Sequence, residues 1–216
     1  MTNAFPSFAL PMPEILVYTG GIAATNGYVL SLPGGTVLVD APDGVAPWLR
    51  RQNVRVDALF LTHQHFDHVL DAAEVKQEHG CRVYAFASFS RDLTLERLYG
   101  AVTGSSFEVL EFEVDELLKD KDDVEAVGES WKLYHVPGHS PDSVCFHLEA
   151  QNLLFGGDVL FLDGIGRTDF PGGSTQQLLS GIEEKLFALP DATRVFPGHG
   201  DDTTIGRERL ENPFLT

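Results

Sequence analysis

The sequence predicts an α/β fold: two strand-rich halves, each closed by helices, packed as two sheets with helices on both outer faces. Short apolar runs recur through both halves, segments of helical spacing fall between them, and ligand-type side chains stand just past the ends of several strands. The 216 residues suffice for one substantial domain, and no linker, repeat or low-complexity segment divides them.

Residues 14–19 and 28–32 read as strands, and Thr36-Val37-Leu38-Val39 follows the turn Pro33-Gly34-Gly35 as the second arm of a hairpin. Residues 44–52 suit a short helix. The run Val56-Asp57-Ala58-Leu59-Phe60-Leu61 is largely apolar and reads as a buried strand. It leads into Thr62-His63-Gln64-His65-Phe66-Asp67-His68, three imidazoles and a carboxylate crowded together, and then into a segment of helical spacing that runs to about His79. The cluster therefore sits on a strand-to-helix turn, where α/β folds place their chemistry. Residues 82–86 read as a strand. Residues 88–99, with apolar positions every three or four, read as a helix.

A second half begins near Phe107. Residues 107–114, 124–127, 131–136, 143–148 and 153–155 are strand-like, and Asp120-Lys121-Asp122-Asp123 between them is a solvated turn. Residues 175–189 form a helix with Leu178, Leu179, Ile182, Leu186 and Leu189 on one face, and Arg194-Val195-Phe196 is a last strand.

Three further positions repeat the pattern of the first cluster. His139 follows Leu133-Tyr134-His135-Val136-Pro137-Gly138, Asp158 follows Leu153-Leu154-Phe155-Gly156-Gly157, and His199 follows Arg194-Val195-Phe196-Pro197-Gly198. Glycine before each lets the backbone turn sharply and approach a ligand closely. The candidate ligands are thus His63, His65, Asp67, His68, His139, Asp158 and His199. They are too many for one tetrahedral zinc and suit two metals sharing a bridging carboxylate. A set of imidazoles and carboxylates without thiolates is compatible with zinc, iron or manganese. His79, His135 and His147 read as structural or exposed, His79 standing near a helix end where a cation favours the dipole.

Composition narrows the partners. The formal charge is −17, from 15 basic and 32 acidic side chains, and such a surface repels phosphate backbones, so nucleic acid is excluded. The two cysteines, Cys81 and Cys145, lie in apolar runs and read as buried free thiols. The first residues lack the basic and apolar regions of an export signal, and no window has the length to span a membrane; a cytoplasmic protein without membrane association is expected.

The seven positions resemble the metallo-β-lactamase superfamily, whose signature is His-x-His-x-Asp-His followed by a distant His, Asp and His. The resemblance covers essentially the whole chain and implies a single αββα sandwich domain over residues 1–216, two mixed sheets flanked by helices, with the metal site at one edge. Gly156-Gly157-Asp158-Val159-Leu160-Phe161, Gly164-Ile165-Gly166-Arg167-Thr168-Asp169 and Pro197-Gly198-His199-Gly200, together with the residues that follow to Leu215, look like the short glyoxalase II-like hydrolases. That likeness implies one metal on His63, His65 and His139, a second on Asp67, His68 and His199, and Asp158 bridging. It implies two divalent ions, zinc first among them with iron or manganese as alternatives. Lactamases of this fold usually carry a cysteine ligand near the bridging position; Asp158 stands here, which argues against that role. The helical domain that follows the sandwich in glyoxalase II is not expected. Asp142 stands where relatives commonly have glycine.

The implied reaction is hydrolysis of a small-molecule thioester such as S-lactoylglutathione, by attack of a metal-bridging hydroxide that Asp67 and Asp158 orient. Two metals about 3.5–4 Å apart lower the pKa of their water to about 7. Arg167 is the candidate for receiving a substrate carboxylate, and a salt bridge to Asp169 is its structural alternative. Persulfide dioxygenases share the Gly-Arg-Thr-Asp loop, and their single iron falls on His63, His139 and Asp158, a facial set of two His and one carboxylate. The expected activity is therefore a binuclear thioester hydrolase, with a mononuclear-iron dioxygenase as the alternative.

Overall fold

A computed structural model describes residues 13–104 and 108–216. Its first sheet is built in chain order from β1 (Glu14–Gly20), β2 (Thr25–Leu32), β3 (Gly35–Val39), β4 (Ala58–Phe60), β5 (Arg82–Ala85) and β6 (Glu116–Leu117). The first three strands form an antiparallel meander, and β3 to β6 run parallel. Parallel neighbours need a crossover, normally helical. Here α1 (Val45–Gln52) joins β3 to β4, α2 (Phe66–Val69) and α3 (Ala72–His79) join β4 to β5, and α4 (Arg91–Thr94) and α5 (Glu96–Thr103) lie between β5 and β6.

The second sheet contains β7 (Asp123–Ala126), β8 (Glu129–His135), β9 (Val144–Leu148) and β10 (Leu153–Gly157). A small separate hairpin follows, β11 (Leu160–Phe161) with β12 (Gly164–Ile165). The sheet then resumes with β13 (Arg194–Pro197) and β14 (Thr203–Thr204), in the order β14-β13-β10-β9-β8-β7. Only the β10–β13 pair is parallel, and its crossover carries α6 (Thr175–Gly181). The last helix, α7 (Ile205–Glu211), starts at Thr204, whose side chain accepts from the Arg207 N–H at 3.3 Å.

The alternation of side chains along the strands creates the layers. Leu30, Val37, Val39 and Phe60 of the first sheet meet Trp131, Phe146, Phe155 and Phe196 of the second, all buried. Phe60 stacks on Phe146 at 4.5 Å and meets Trp131 edge-on at 5.0 Å, which pins one sheet to the other. The opposite face of the first sheet, through Val29, Leu38, Leu59 and Val83, packs on α1 and α3. The outer face of the second, through Cys145, Leu154 and Val195, is covered by Leu178, Ile182, Leu186 and Ile205. The layers are therefore helix, sheet, sheet, helix, and both sheets are mixed. Cys81 and Cys145 are free and buried, with burial pushing their thiols up to about 11 and about 12.

Three elements differ from the sequence reading. Phe107 lies outside the described residues, and residues 108–114 form no strand, although Val109 and Phe112 are buried with the helix-covered face. The helix expected over 88–99 is two short helices, because Leu95 takes a left-handed conformation (φ 56°) between them. The helix expected over 175–189 ends as α6, and Ile182–Leu186 continue as a π-turn. His79 closes α3 near its C-terminal end, as read, with a structural role: its Nδ1 accepts from the Val56 N–H at 3.3 Å, and burial lowers its pKa.

Candidate metal centre

The seven candidate ligands come from four strand ends. His63 and His65 lie on the loop after β4, and Asp67 and His68 on the single turn of α2 that follows. His139 follows β8, Asp158 follows β10 directly, and His199 follows β13. Face-to-face packing brings these ends to one edge. Val144 N–H donates to the Thr62 carbonyl at 2.8 Å, which joins the β4 exit to the start of β9. Gly198 N–H donates to the Gly157 carbonyl at 2.8 Å, which joins the Asp158 and His199 turns. A side chain at Gly157 (φ 51°) would collide with Thr62, and one at Gly198 would collide with Asp158 and His68.

The result is three overlapping groups whose ligand atoms lie within 4.8 Å of one another: His63, His65 and His139; His63, His68 and Asp158; Asp67, His68 and His199. Asp158 lies between the halves. Its Oδ2 is 3.4 Å from His139 Nε2 and 3.3 Å from His199 Nε2, and its Oδ1 is 3.3 Å from His68 Nε2. Asp67 Oδ2 is 3.4 Å from His199 Nε2. All seven positions singled out in the sequence thus meet at one place.

The donor set fits a metal. His63 Nε2 is buried without a hydrogen-bond partner, and His68 Nε2 and Asp158 Oδ1 are buried 3.3 Å apart, short of a well-formed hydrogen bond. His65 Nδ1 and His139 Nε2 converge to 2.9 Å. Burying lone pairs against each other is costly unless a cation lies among them. Nitrogen and carboxylate oxygen donors suit zinc, iron or manganese.

The electrostatics of the two halves differ. Burial, then the neighbouring rings of His68, His65 and His139, holds His63 well below the usual imidazole range. Burial, reinforced by His139, lowers His65 to about 3, and burial also lowers His139 against the pull of Asp158. These three are neutral donors. At the other half, burial opposes charge but the carboxylates prevail. Asp158, Asp67 and Asp40 raise His68, and Asp158 and Asp67 raise His199 to about 10. Burial likewise pushes Asp67 and Asp158 up, yet the facing imidazoles outweigh it; Asp67 rests at about 2 and Asp158 well below its ordinary value.

A surrounding set of hydrogen bonds orients the ligands, as second partners of ligating imidazoles and carboxylates commonly do. Asp40, left-handed at φ 59°, faces His68 Nδ1 at 2.8 Å and accepts from the Thr62 N–H and hydroxyl, both at 2.8 Å. Thr25 Oγ1 donates to Asp67 Oδ2 at 2.8 Å, and His139 Nδ1 meets the Arg167 carbonyl at 2.8 Å. Neither Asp40 nor Thr25 was singled out in the sequence. Asp40 nonetheless follows the apolar run Thr36-Val37-Leu38-Val39, the same arrangement that marks the ligands. Asp142 is buried between the ligand loops, accepting from the Gln64 N–H at 3.1 Å and the Ser140 hydroxyl at 2.5 Å; burial raises its pKa to about 6. The hairpin of β1 and β2 is stitched to the His199 turn. Asn26 N–H donates to Gly198 O at 2.7 Å, Tyr28 Oη donates to Pro197 O at 2.6 Å, and Thr25 bridges to His199.

The remaining histidines stay outside the cluster. His135 stacks on Phe86 and its Nε2 meets the Pro141 carbonyl at 2.9 Å, while His147 is buried in β9. The cluster opens into a cleft of about 750 Å³ walled by α5, Phe170 and the Arg167 loop. Arg167 Nε and Nη2 donate to the two oxygens of Asp169, each at 2.6 Å, and its guanidinium lies 4.2 Å over the Phe170 ring.

The profile of the Metallo-beta-lactamase superfamily matches residues 20–199. The chain belongs to that superfamily. It is 40% identical to the uncharacterized protein Rv2581c of Mycobacterium tuberculosis, over 92% of this chain and 96% of that one. It is 35% identical to the hydroxyacylglutathione hydrolase GloC of Haemophilus influenzae, over 76% and 77%. Its fold is similar to that of the B3 metallo-beta-lactamase BLEG-1 (TM-score 0.80, 33% identity, 94% of this chain and 100% of that one). It is also similar to TTHA1623 in a di-iron-bound form (TM-score 0.79, 31% identity, 93% and 100%). No described helix is long and apolar enough to cross a membrane.

Proposed function

We propose that the chain is a binuclear metal-dependent hydrolase acting on a thioester, with S-lactoylglutathione as the reference substrate. The observation that carries this reading is the position of Asp158, whose two oxygens face ligands of both halves, His139 on one side and His68 and His199 on the other. In this assignment His63, His65 and His139 hold one divalent ion, Asp67, His68 and His199 hold the other, and Asp158 is shared. Zinc is the leading choice, with iron or manganese as alternatives; the di-iron form of TTHA1623 makes iron a specific one.

When bound, such a pair supplies Lewis-acid polarisation of a carbonyl and a nucleophilic water at neutral pH. The chain's own residues supply position. Asp67, tethered by Thr25, and Asp158 remain ionised and accept hydrogen bonds from a water in the cleft, which orients its lone pair toward a carbonyl carbon. His139 is held against the Arg167 carbonyl and His68 against Asp40, so the ligand rings are fixed before substrate enters. Arg167 borders the cleft as a substrate contact, presenting a guanidinium plane already paired with Asp169.

Two measurements test this. The purified protein should carry two metal ions per chain, and zinc- or iron-loaded protein should hydrolyse S-lactoylglutathione. Asp158→Ala should lose at least about 100-fold in kcat/KM, since a ligating carboxylate is removed. No turnover with either metal would reject this substrate. A second reading has its own geometric support, because His63, His139 and Asp158 adjoin, with the His63 and His139 rings 5.0 Å apart. One iron per chain, with oxygen uptake on glutathione persulfide, would replace the hydrolase by a dioxygenase. The likeness to BLEG-1 adds a chromogenic cephalosporin to the substrates assayed.

A further inference from the structure

Much of the cleft beside the metal cluster is lined by apolar side chains. Leu95, Leu98, Val102, Phe161, Ile165 and Phe170 line it, with Phe170 and Phe161 adjoining the cluster at His65 and His199. Leu98 is 42% and Val102 79% exposed, so this strip of α5 is open to whatever enters. Leu95 breaks the helix with its left-handed backbone and thereby starts α5 beside the cluster. Among the described residues lining the cleft, Arg167 is the only Lys or Arg, and both oxygens of Asp169 pair with the Nε–Nη2 edge of its guanidinium. A carboxylate reaching this wall meets one basic side chain, already paired with Asp169, on a chain of net charge −17.

We infer that the cleft selects thioesters with an uncharged, apolar acyl group, which lies along Leu98 and Val102 while the carbonyl faces the metal cluster. The inference rests on the hydrolase reading for the identity of that group. The physical driving force is burial of methylene groups, worth about fourfold per methylene when complete. A wall that is open on one side should return roughly twofold per methylene.

The experiment keeps the thiol constant and varies the apolar group, with one arm that needs no turnover. Binding of the thioethers S-methylglutathione and S-hexylglutathione to the metal-loaded protein is measured by calorimetry. Hydrolysis of S-lactoyl-, S-hexanoyl- and S-glutarylglutathione is measured alongside. The hexyl thioether should bind at least about 30-fold more tightly than the methyl one, and hexanoyl should be the best substrate. The double variant Leu98→Asp, Val102→Asp should lose that gain, while Leu98→Met, Val102→Ile should keep it, which separates the wall's chemistry from a folding defect. Asp169→Asn, which frees Arg167, should raise glutaryl turnover relative to hexanoyl. Equal binding of the two thioethers by the unaltered chain would overturn the inference even if lactoylglutathione is cleaved. Discrimination between them without cleavage of any thioester would leave the apolar wall established and reject the hydrolase.

Discussion

Asp40 lies behind the cluster rather than in the cleft, yet it touches both the ligand His68 and the Thr62 that precedes His63. Replacing it by alanine leaves His68 Nδ1 and the Thr62 N–H buried without their acceptor. Metal affinity should fall by about 10- to 100-fold, as is usual for partners of ligating imidazoles, and chelator competition measures it. Asp142 offers a different test. Its folded pKa of about 6 exceeds the ordinary 3.8, so between those values the folded chain binds more protons than the unfolded one. Stability from this group is therefore complete below about pH 4 and is lost as pH rises through about 6. The loss is on the order of 2–3 kcal/mol. Asp142→Asn should remove this dependence, seen as a flatter pH profile in urea melts of metal-free protein. The ligands were legible in the sequence because each is a His or Asp set after an apolar run and, in three cases, a glycine. Asp40 obeys half of that rule but lacks the histidine-rich context, and Thr25 carries no local mark at all.

At the level of elements, turns decide whether the ligands meet. A methyl group on Gly198 collides with Asp158 and with His68, so the His199 loop must retreat. Gly198→Ala should reduce the metal bound per chain relative to the unaltered protein, read by elemental analysis. Strands and covered helices were readable because a period of two and a helical apolar face both report burial. The break at Leu95 was not, since a left-handed leucine goes against local preference and carries no sequence mark. Residues 108–114 have strand-like composition, and burial of Val109 and Phe112 accounts for that apolarity without any ladder.

At the scale of the whole molecule, metal uptake and protonation are linked. In the metal-free cluster His68 and His199 are held protonated by Asp158 and Asp67, His199 up to about 10. Divalent ions displace those protons, so adding zinc near pH 7.5 to weakly buffered metal-free protein should release up to roughly two protons per chain, counted with an indicator dye. The same addition should raise the melting temperature, because the ions bind the folded arrangement alone.

The hydrogen bonds from Asn26 and Tyr28 to the Gly198 and Pro197 carbonyls join points separated by about 170 residues, as the 169 between Tyr28 and Pro197 shows. Contacts of that reach are assembled late, because nearly the whole chain must already be ordered to bring their ends together. His199 can take its place only once both sheets have docked. The cluster is therefore a clasp between the halves: in the proposed assignment each ion takes ligands from both, so a chain caught before docking should hold neither firmly, and metal uptake should report that the sheets have met.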